Sequence, residues 1–131
     1  MVDYILRISE DEYEQRVFNN HCYYVGLTRR WEPGSKVFFA RKREGKDSFI
    51  GHGVIERIDE TSLLPKEERD ECERMGWKWK LYFGSSLCKY REPVPIKEIL
   101  GEDYKPGKYL HGRIIRPEFA EVVMKMARCQ E

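Results

Sequence analysis

His21, His52 and His111 are the chain's imidazoles, and none falls in an HxH, HxxxH or HExxH spacing. A metal centre would have to assemble from distant loops, so no metal or other cofactor is expected. Four cysteines (Cys22, Cys72, Cys88 and Cys129) form no CxxC pair and read as reduced thiols, not as a zinc knuckle or a disulfide frame. Cys22 follows His21 directly, but neighbours on a strand point to opposite faces, which denies the pair a shared site. Gly51-His52-Gly53 lies inside a strand pattern instead of between a strand and a helix, which excludes the usual phosphate cradle. A GxSxG elbow is absent. These patterns assign no catalytic residue, and the protein is expected not to be an enzyme.

What stands out is cationic residues interleaved with flat rings. Tyr23 and Tyr24 precede Arg29, Arg30 and Trp31, and Tyr109 and His111 precede Arg113. Single-strand and flipped-base binders pair phosphate-neutralising cations with rings that stack on bases. Between Arg29 and Lys46 there are seven basic residues (Arg29, Arg30, Lys36, Arg41, Lys42, Arg43 and Lys46) against two acids. Between Glu56 and Glu73 there are eight acids against three bases. A chain with a net charge of only +1 is thus polarised in a way that orients a polyanion. Each ring also has a core reading. Trp77 and Trp79 belong to the buried face of an amphipathic strand, and Trp31 either stacks on a ligand or plugs one end of a barrel.

The elements that must position these residues follow from the patterning. Val2 to Ile8 reads as a first strand, and Ser9-Glu10-Asp11-Glu12 as a capping box opening a short helix that buries Tyr13 and Val17. Cys22 to Leu27 is a second strand. Pro33-Gly34 turns into Lys36 to Arg41, whose Val37-Phe38-Phe39-Ala40 run is apolar on both faces and therefore central. Glu44-Gly45-Lys46-Asp47 forms a hairpin tip, and Phe49 to Ile58 returns with Gly51 and Gly53 on one face, the mark of a bulge or a close approach. A polar helix covers Pro65 to Met75 with Gly76 as its stop. Trp77, Trp79, Leu81 and Phe83 alternate with polar residues as a half-buried strand, and Ser86 to Tyr90 adds another. Pro93 and Pro95 bracket an edge segment, and Lys108 to Ile115 is extended. Pro117 opens a last helix with Phe119, Val122, Val123 and Met126 on one face.

The sum is a single α+β domain over 1–131, mostly antiparallel, with two or three helices at its edges. With 40% hydrophobic and 36% charged residues, no apolar run of membrane-spanning length and no signal peptide at Met1-Val2-Asp3, a cytoplasmic protein without membrane partners is expected. Two Asn and two Gln against 47 charged side chains give a bias like that of thermophile proteins.

An ordered series of segments resembles the PUA-like superfamily, closest to its EVE-type branch and to small archaeal proteins of that class. The series runs YILRI, EDEYEQRVF, CYYVG, EPGSKVFFARK, FIGHGVIERI, PVPIKEIL and HGRIIRPEFAEVV, across nearly the whole chain. The resemblance implies a β pseudo-barrel with helices over its openings and a pocket for a nucleotide, sometimes a modified base. It implies an aromatic at Tyr23 or Tyr24 near that pocket and a glycine-basic pair at Gly112 and Arg113. Tyrosines stand here where a tryptophan is frequent, which disfavours a tight cage for a methylated base. The GxKxxExR motif of the related ASCH branch is not found in this sequence: at Gly107-Lys108 glycine and lysine are adjacent and the glutamate and arginine positions do not follow, so catalysis of that branch's kind is disfavoured.

Residues and resemblance together point to a non-catalytic nucleic-acid-binding domain, with RNA favoured over DNA. The seven basic residues would neutralise phosphates. Tyr23, Tyr24, Trp31 and Tyr109 would stack on a base, with His111 and Arg113 at its edge. The alternatives are an enzyme acting on a modified nucleoside and a protein-interaction module docking through the acidic helix at Glu67 to Glu73.

Overall fold

The apolar run Val37 to Ala40 fixes the middle of the architecture. The computed structural model describes residues 1–101, 104, 105 and 107–130. In it β1 (Asp3–Arg7), α1 (Asp11–Asn20), β2 (Cys22–Val25), β3 (Lys36–Arg43), β4 (Lys46–Val54) and β5 (Arg57–Glu60) are followed by α2 (Lys66–Met75) and β6 (Trp79–Tyr82). Then come β7 (Cys88–Pro95), α3 (Ile96–Leu100), β8 (Arg113–Ile115) and α4 (Pro117–Met126). A five-stranded sheet has the order β7-β4-β3-β1-β8, with β3 at its centre, and a three-stranded sheet has the order β2-β6-β5. Only β1 and β3 pair in parallel; every other pairing between these strands is antiparallel.

Alternation along β3 builds two cores, because successive side chains leave opposite faces. Phe38 and Ala40 join Ile5, Phe49, Ile96 and Val123 beneath α3 and α4. Val37 and Phe39 join Leu6, Tyr23, Ile50, Leu81 and Phe83 between the two sheets. Glu44 and Gly45 have φ of 51° and 79°, the two positive values of a primed hairpin turn. Gly51 is required by a close approach: a Cβ there would lie 2.5 Å from Phe18 Cζ and 2.7 Å from the Cys88 carbonyl oxygen. Among the described residues no helix is long and apolar enough to cross a membrane.

Several local expectations are corrected. Glu10, not Ser9, is the N-cap of α1, and no side-chain bond caps it, so the box does not form. The strand expected from Phe49 to Ile58 breaks after Val54, and β5 crosses to the other sheet. Lys108 to Ile115 is a 3-10 turn over Gly107–Leu110 and then the short β8. On α4 the buried residues are Ala120 and Val123, while Val122 and Met126 are exposed. Cys88 and Cys129 are not free thiols but a disulfide, with Cα atoms 5.1 Å apart. The C-terminal segment lies along β7, with Arg91 N donating to Arg128 O at 2.7 Å and Gln130 N to Lys89 O at 2.6 Å, which brings the two sulfurs together. Cys22 and Cys72 remain buried thiols.

Candidate nucleic-acid interface

The parallel pair β1/β3 ends at one pole, where Arg7 lies opposite Ala40. Gly112 N donates to Ile5 O, which carries the segment before β8 over the same pole. There His111 Nδ1 accepts a hydrogen bond from Arg7 N at 3.0 Å. Burial, then the charges of Arg29 and Arg7, push the His111 imidazole below its ordinary value. Arg29 reaches across from the β2–β3 connection and donates from Nε to Gly112 O at 3.0 Å. A Cβ at Gly112 would lie 3.1 Å from Arg29 Nη2 and 2.7 Å from Leu27 Cδ1, and Gly112 has φ 79°, so this crossing depends on glycine.

The hairpin that prolongs β3 divides its charges between two tasks. Arg41 pairs with Asp11 and with Glu14 of α1, each at 2.7 Å, and Arg43 reaches the same Glu14 oxygen at 2.5 Å. Burial alone would raise the Glu14 carboxyl, but the hydrogen bonds and charges of the two arginines hold it below its ordinary value. Arg41 and Arg43 therefore brace a helix rather than wait for phosphate. Lys42 and Lys46, by contrast, are exposed and line a groove of about 620 Å³ with Lys97, Tyr104 and the carboxylates Asp47 and Glu98. Lys36 sits at the other end of β3, roughly 20 Å from Lys42 at 3.3 Å per residue, and belongs to a different surface.

The rings expected to form one pocket do not converge. Tyr23 is 8% exposed, stacks on Phe39 and donates its hydroxyl to Arg7 O, which makes it a core residue. Trp31 is half-buried, packs on Tyr4 with centroids 4.7 Å apart and donates Nε1 to Leu27 O, so it closes one end of the barrel. Tyr109 is 58% exposed, with Lys105 and Lys108 over its ring at 5.6 and 5.4 Å, and Arg113 is exposed two residues past His111. Arg30 is exposed as well.

Tyr24 instead enters a recess that the sequence did not reveal. Antiparallel pairing of β2 with β6 sets Val25 opposite Trp79 and Tyr24 opposite Lys80, so the chain entering β6 brings Trp77 alongside. The Tyr24 and Trp77 rings lie 5.1 Å apart at 11°, and Tyr13 of α1 meets Trp77 edge-on at 5.8 Å. Trp77 is thus half-buried in a recess wall and not a core residue of β6. Arg16, one turn beyond Tyr13, completes the lining. At the edge, Tyr24 donates its hydroxyl to Glu68 of α2, and Lys80 Nζ reaches the same oxygen at 2.5 Å. Burial would raise Glu68, but these two donors and the nearby Arg16 charge hold it lowered. Burial, with the Glu68 bond, raises the Tyr24 phenol, which keeps it protonated and donating. The recess and the basic pole meet at Tyr23, which lines the one and bonds the Arg7 carbonyl at the other. Tyr13 and Arg16, three apart on one helix face, were the available sequence signal.

No protein-family model matches the chain, and no curated protein does. Solved structures do. The ASCH protein of Zymomonas mobilis matches at 14% identity with a TM-score of 0.68, over 97% of this chain and 96% of its own. The YTH domain of the Zygosaccharomyces rouxii MRB1 protein, solved in complex with N6-methyladenosine RNA, matches at 11% identity with a TM-score of 0.58, over 99% of this chain and 86% of its own. The chain therefore has the PUA-like fold of ASCH and YTH domains, a mixed, mostly antiparallel pseudo-barrel with flanking helices.

Proposed function

We propose that the protein is a non-catalytic RNA-binding domain of the EVE-like kind, which holds a base at the Tyr13–Tyr24–Trp77 recess and phosphates along the basic pole. The observation that carries this reading is the ring-lined recess linked through Tyr23 to that pole: the protein offers both a stacking surface and exposed cations, as single-strand recognition needs. Arg29, Arg30, Lys42, Lys46 and Arg113 are the phosphate contacts, and Tyr109 is a second stacking platform. His111, held as an acceptor for Arg7 N, orders the pole beneath them. The likeness to a domain solved with RNA is in keeping with this reading.

A salt titration of binding to single-stranded and hairpin RNA, with DNA of the same sequence as comparator, tests the reading. Five phosphate contacts on a single strand give a log–log slope of about −3.5, at roughly −0.7 per phosphate. Tighter binding to RNA than to DNA is expected. Absent binding at low salt would sink the reading.

A further inference from the structure

We infer that the Tyr13–Tyr24–Trp77 recess is built for a planar, delocalised cation, that Arg16 is its resident occupant, and that its ligand is a nucleobase made positive by alkylation of a ring nitrogen. The inference rests on the RNA-binding reading and names the ligand class of that same recess.

Arg16 Cζ lies 4.9 Å from the Tyr24 ring centroid, 5.4 Å from Trp77 and 5.6 Å from Tyr13. All three distances fall within the range over which the negative face of a ring attracts a cation. The space left beside the guanidinium is about 20 Å³, room for one water and not for a base. A ligand can enter only by taking the place of Arg16, so what Arg16 satisfies there defines what the newcomer must supply: flatness and positive charge.

The mouth makes the same selection. Arg16 Nη2 lies 3.2 Å from Glu12 and 3.8 Å from Glu71, while Glu68, at the Tyr24 hydroxyl, is already paired with Lys80, whose ammonium lies 5.3 Å from the Tyr24 ring centroid. Carboxylates at the mouth repel a phosphate and favour a cation, which keeps the backbone of an RNA on the basic pole and admits only a charged base. Arg16 itself is mostly shielded, its side chain 17% exposed, but its partners Glu12 and Glu71 are 69% and 45% exposed, so these two ion pairs do little to hold it in the recess. A cationic base replaces the guanidinium like for like and covers more ring area. A neutral base forfeits the cation–ring attraction that Arg16 gives up.

Calorimetric titration of the full chain with free nucleosides is the test. 1-Methyladenosine carries a ring charge at neutral pH, and N6-methyladenosine is its neutral isomer. We expect 1-methyladenosine to bind at least tenfold more tightly than N6-methyladenosine or adenosine, and 3-methylcytidine to surpass cytidine likewise. Arg16→Met keeps an apolar stem while vacating the cation position, and it should raise 1-methyladenosine affinity about tenfold. Trp77→Ala should remove nucleoside binding, and thermal unfolding of both variants reports whether the fold survives. Equal affinity for the two methyladenosine isomers overturns the inference, as does an Arg16→Met protein that is folded and binds neither. N-acetylarginine amide represents a partner's arginine, and tighter binding of that probe than of 1-methyladenosine also overturns it. If unmodified RNA binds with steep salt dependence while the isomers are not distinguished, this inference fails and the RNA-binding reading stands; if RNA itself does not bind, that reading fails.

Discussion

Arg41 Nη1 lies 2.7 Å from Glu14 Oε1, and both side chains are mostly buried, at 15% and 13% exposed. The positive end of the central strand is therefore a brace that fastens α1 to β3, with Arg43 on the same carboxylate and Lys89 3.9 Å from its other oxygen. Removing one member of such a cluster leaves charges short of partners in a poorly solvated place. Glu14→Gln should cost about 1–3 kcal/mol of stability by urea denaturation. Lys42→Ala and Lys46→Ala should stay within about 0.5 kcal/mol of the parent. A Glu14→Gln protein as stable as the parent would remove the brace from the account.

The same division separates stability from binding. Lys42→Ala and Lys46→Ala should each flatten the log–log salt dependence of RNA affinity by about 0.7, the share of one phosphate on a single strand. Lys36→Ala, at the far end of β3, should leave the slope unchanged. The readout is the slope from fluorescence anisotropy at several salt concentrations.

How far the sequence discloses this arrangement depends on the range of the contact. The central place of Val37 to Ala40, the Glu44-Gly45 turn and the tight surroundings of Gly51 are local or pattern-level properties, and each is found as read. The partners of Arg41 and Arg43 are 27 to 30 residues away on α1, so a charge count alone makes them look available. The recess is harder still, because Tyr24 meets Trp77 only through the register of β2 on β6, which no periodicity in either strand encodes. Tyr23 and Tyr24 are equivalent in type, and only the face each takes decides that one packs on Phe39 in the core and the other stacks on Trp77.

The Cys88–Cys129 bridge was illegible for the same reason: its cysteines are 41 residues apart and meet because the C-terminal segment lies along β7. In the chain-entropy limit a loop of that length stabilises by about 4 kcal/mol, and disulfides typically contribute about 2–4 kcal/mol. The Cys88→Ser, Cys129→Ser double variant should lose that range in urea denaturation. Thiol titration of the denatured parent should find two thiols before reduction, Cys22 and Cys72, and all four after it.

Gly51→Ala places a methyl 2.5 Å from Phe18 and 2.7 Å from the backbone oxygen of Cys88. The backbone oxygen is held in the β4–β7 pairing and cannot yield as a side-chain end can. About 1–3 kcal/mol should be lost. Gly45→Ala has open space around it and meets only the strain of its positive φ, so it should cost about 1 kcal/mol. Thermal unfolding of the two variants side by side checks the order.

His111 gives the pole a pH dependence with a definite sign. Its Nδ1 accepts from Arg7 N, so the neutral ring carries its proton on Nε2, and protonation would turn Nδ1 into a donor facing another donor. Burial and the Arg29 and Arg7 charges depress its folded value below the ordinary 6.5. As pH falls past about 6.5 the unfolded chain takes up the proton first, so stability declines from there down through the folded value and then levels. His52, depressed by burial and by Lys36, adds a contribution of the same sign in the same window. Glu14 and Glu68 are depressed carboxylates whose contributions are lost only below 4.5, outside that window. The melting temperature should therefore fall between pH 7.5 and pH 5, and His111→Asn, whose amide oxygen can still accept from Arg7 N, should flatten that fall without abolishing it. An unchanged slope in His111→Asn would show that the ring does not titrate against Arg7 and Arg29 as the geometry requires.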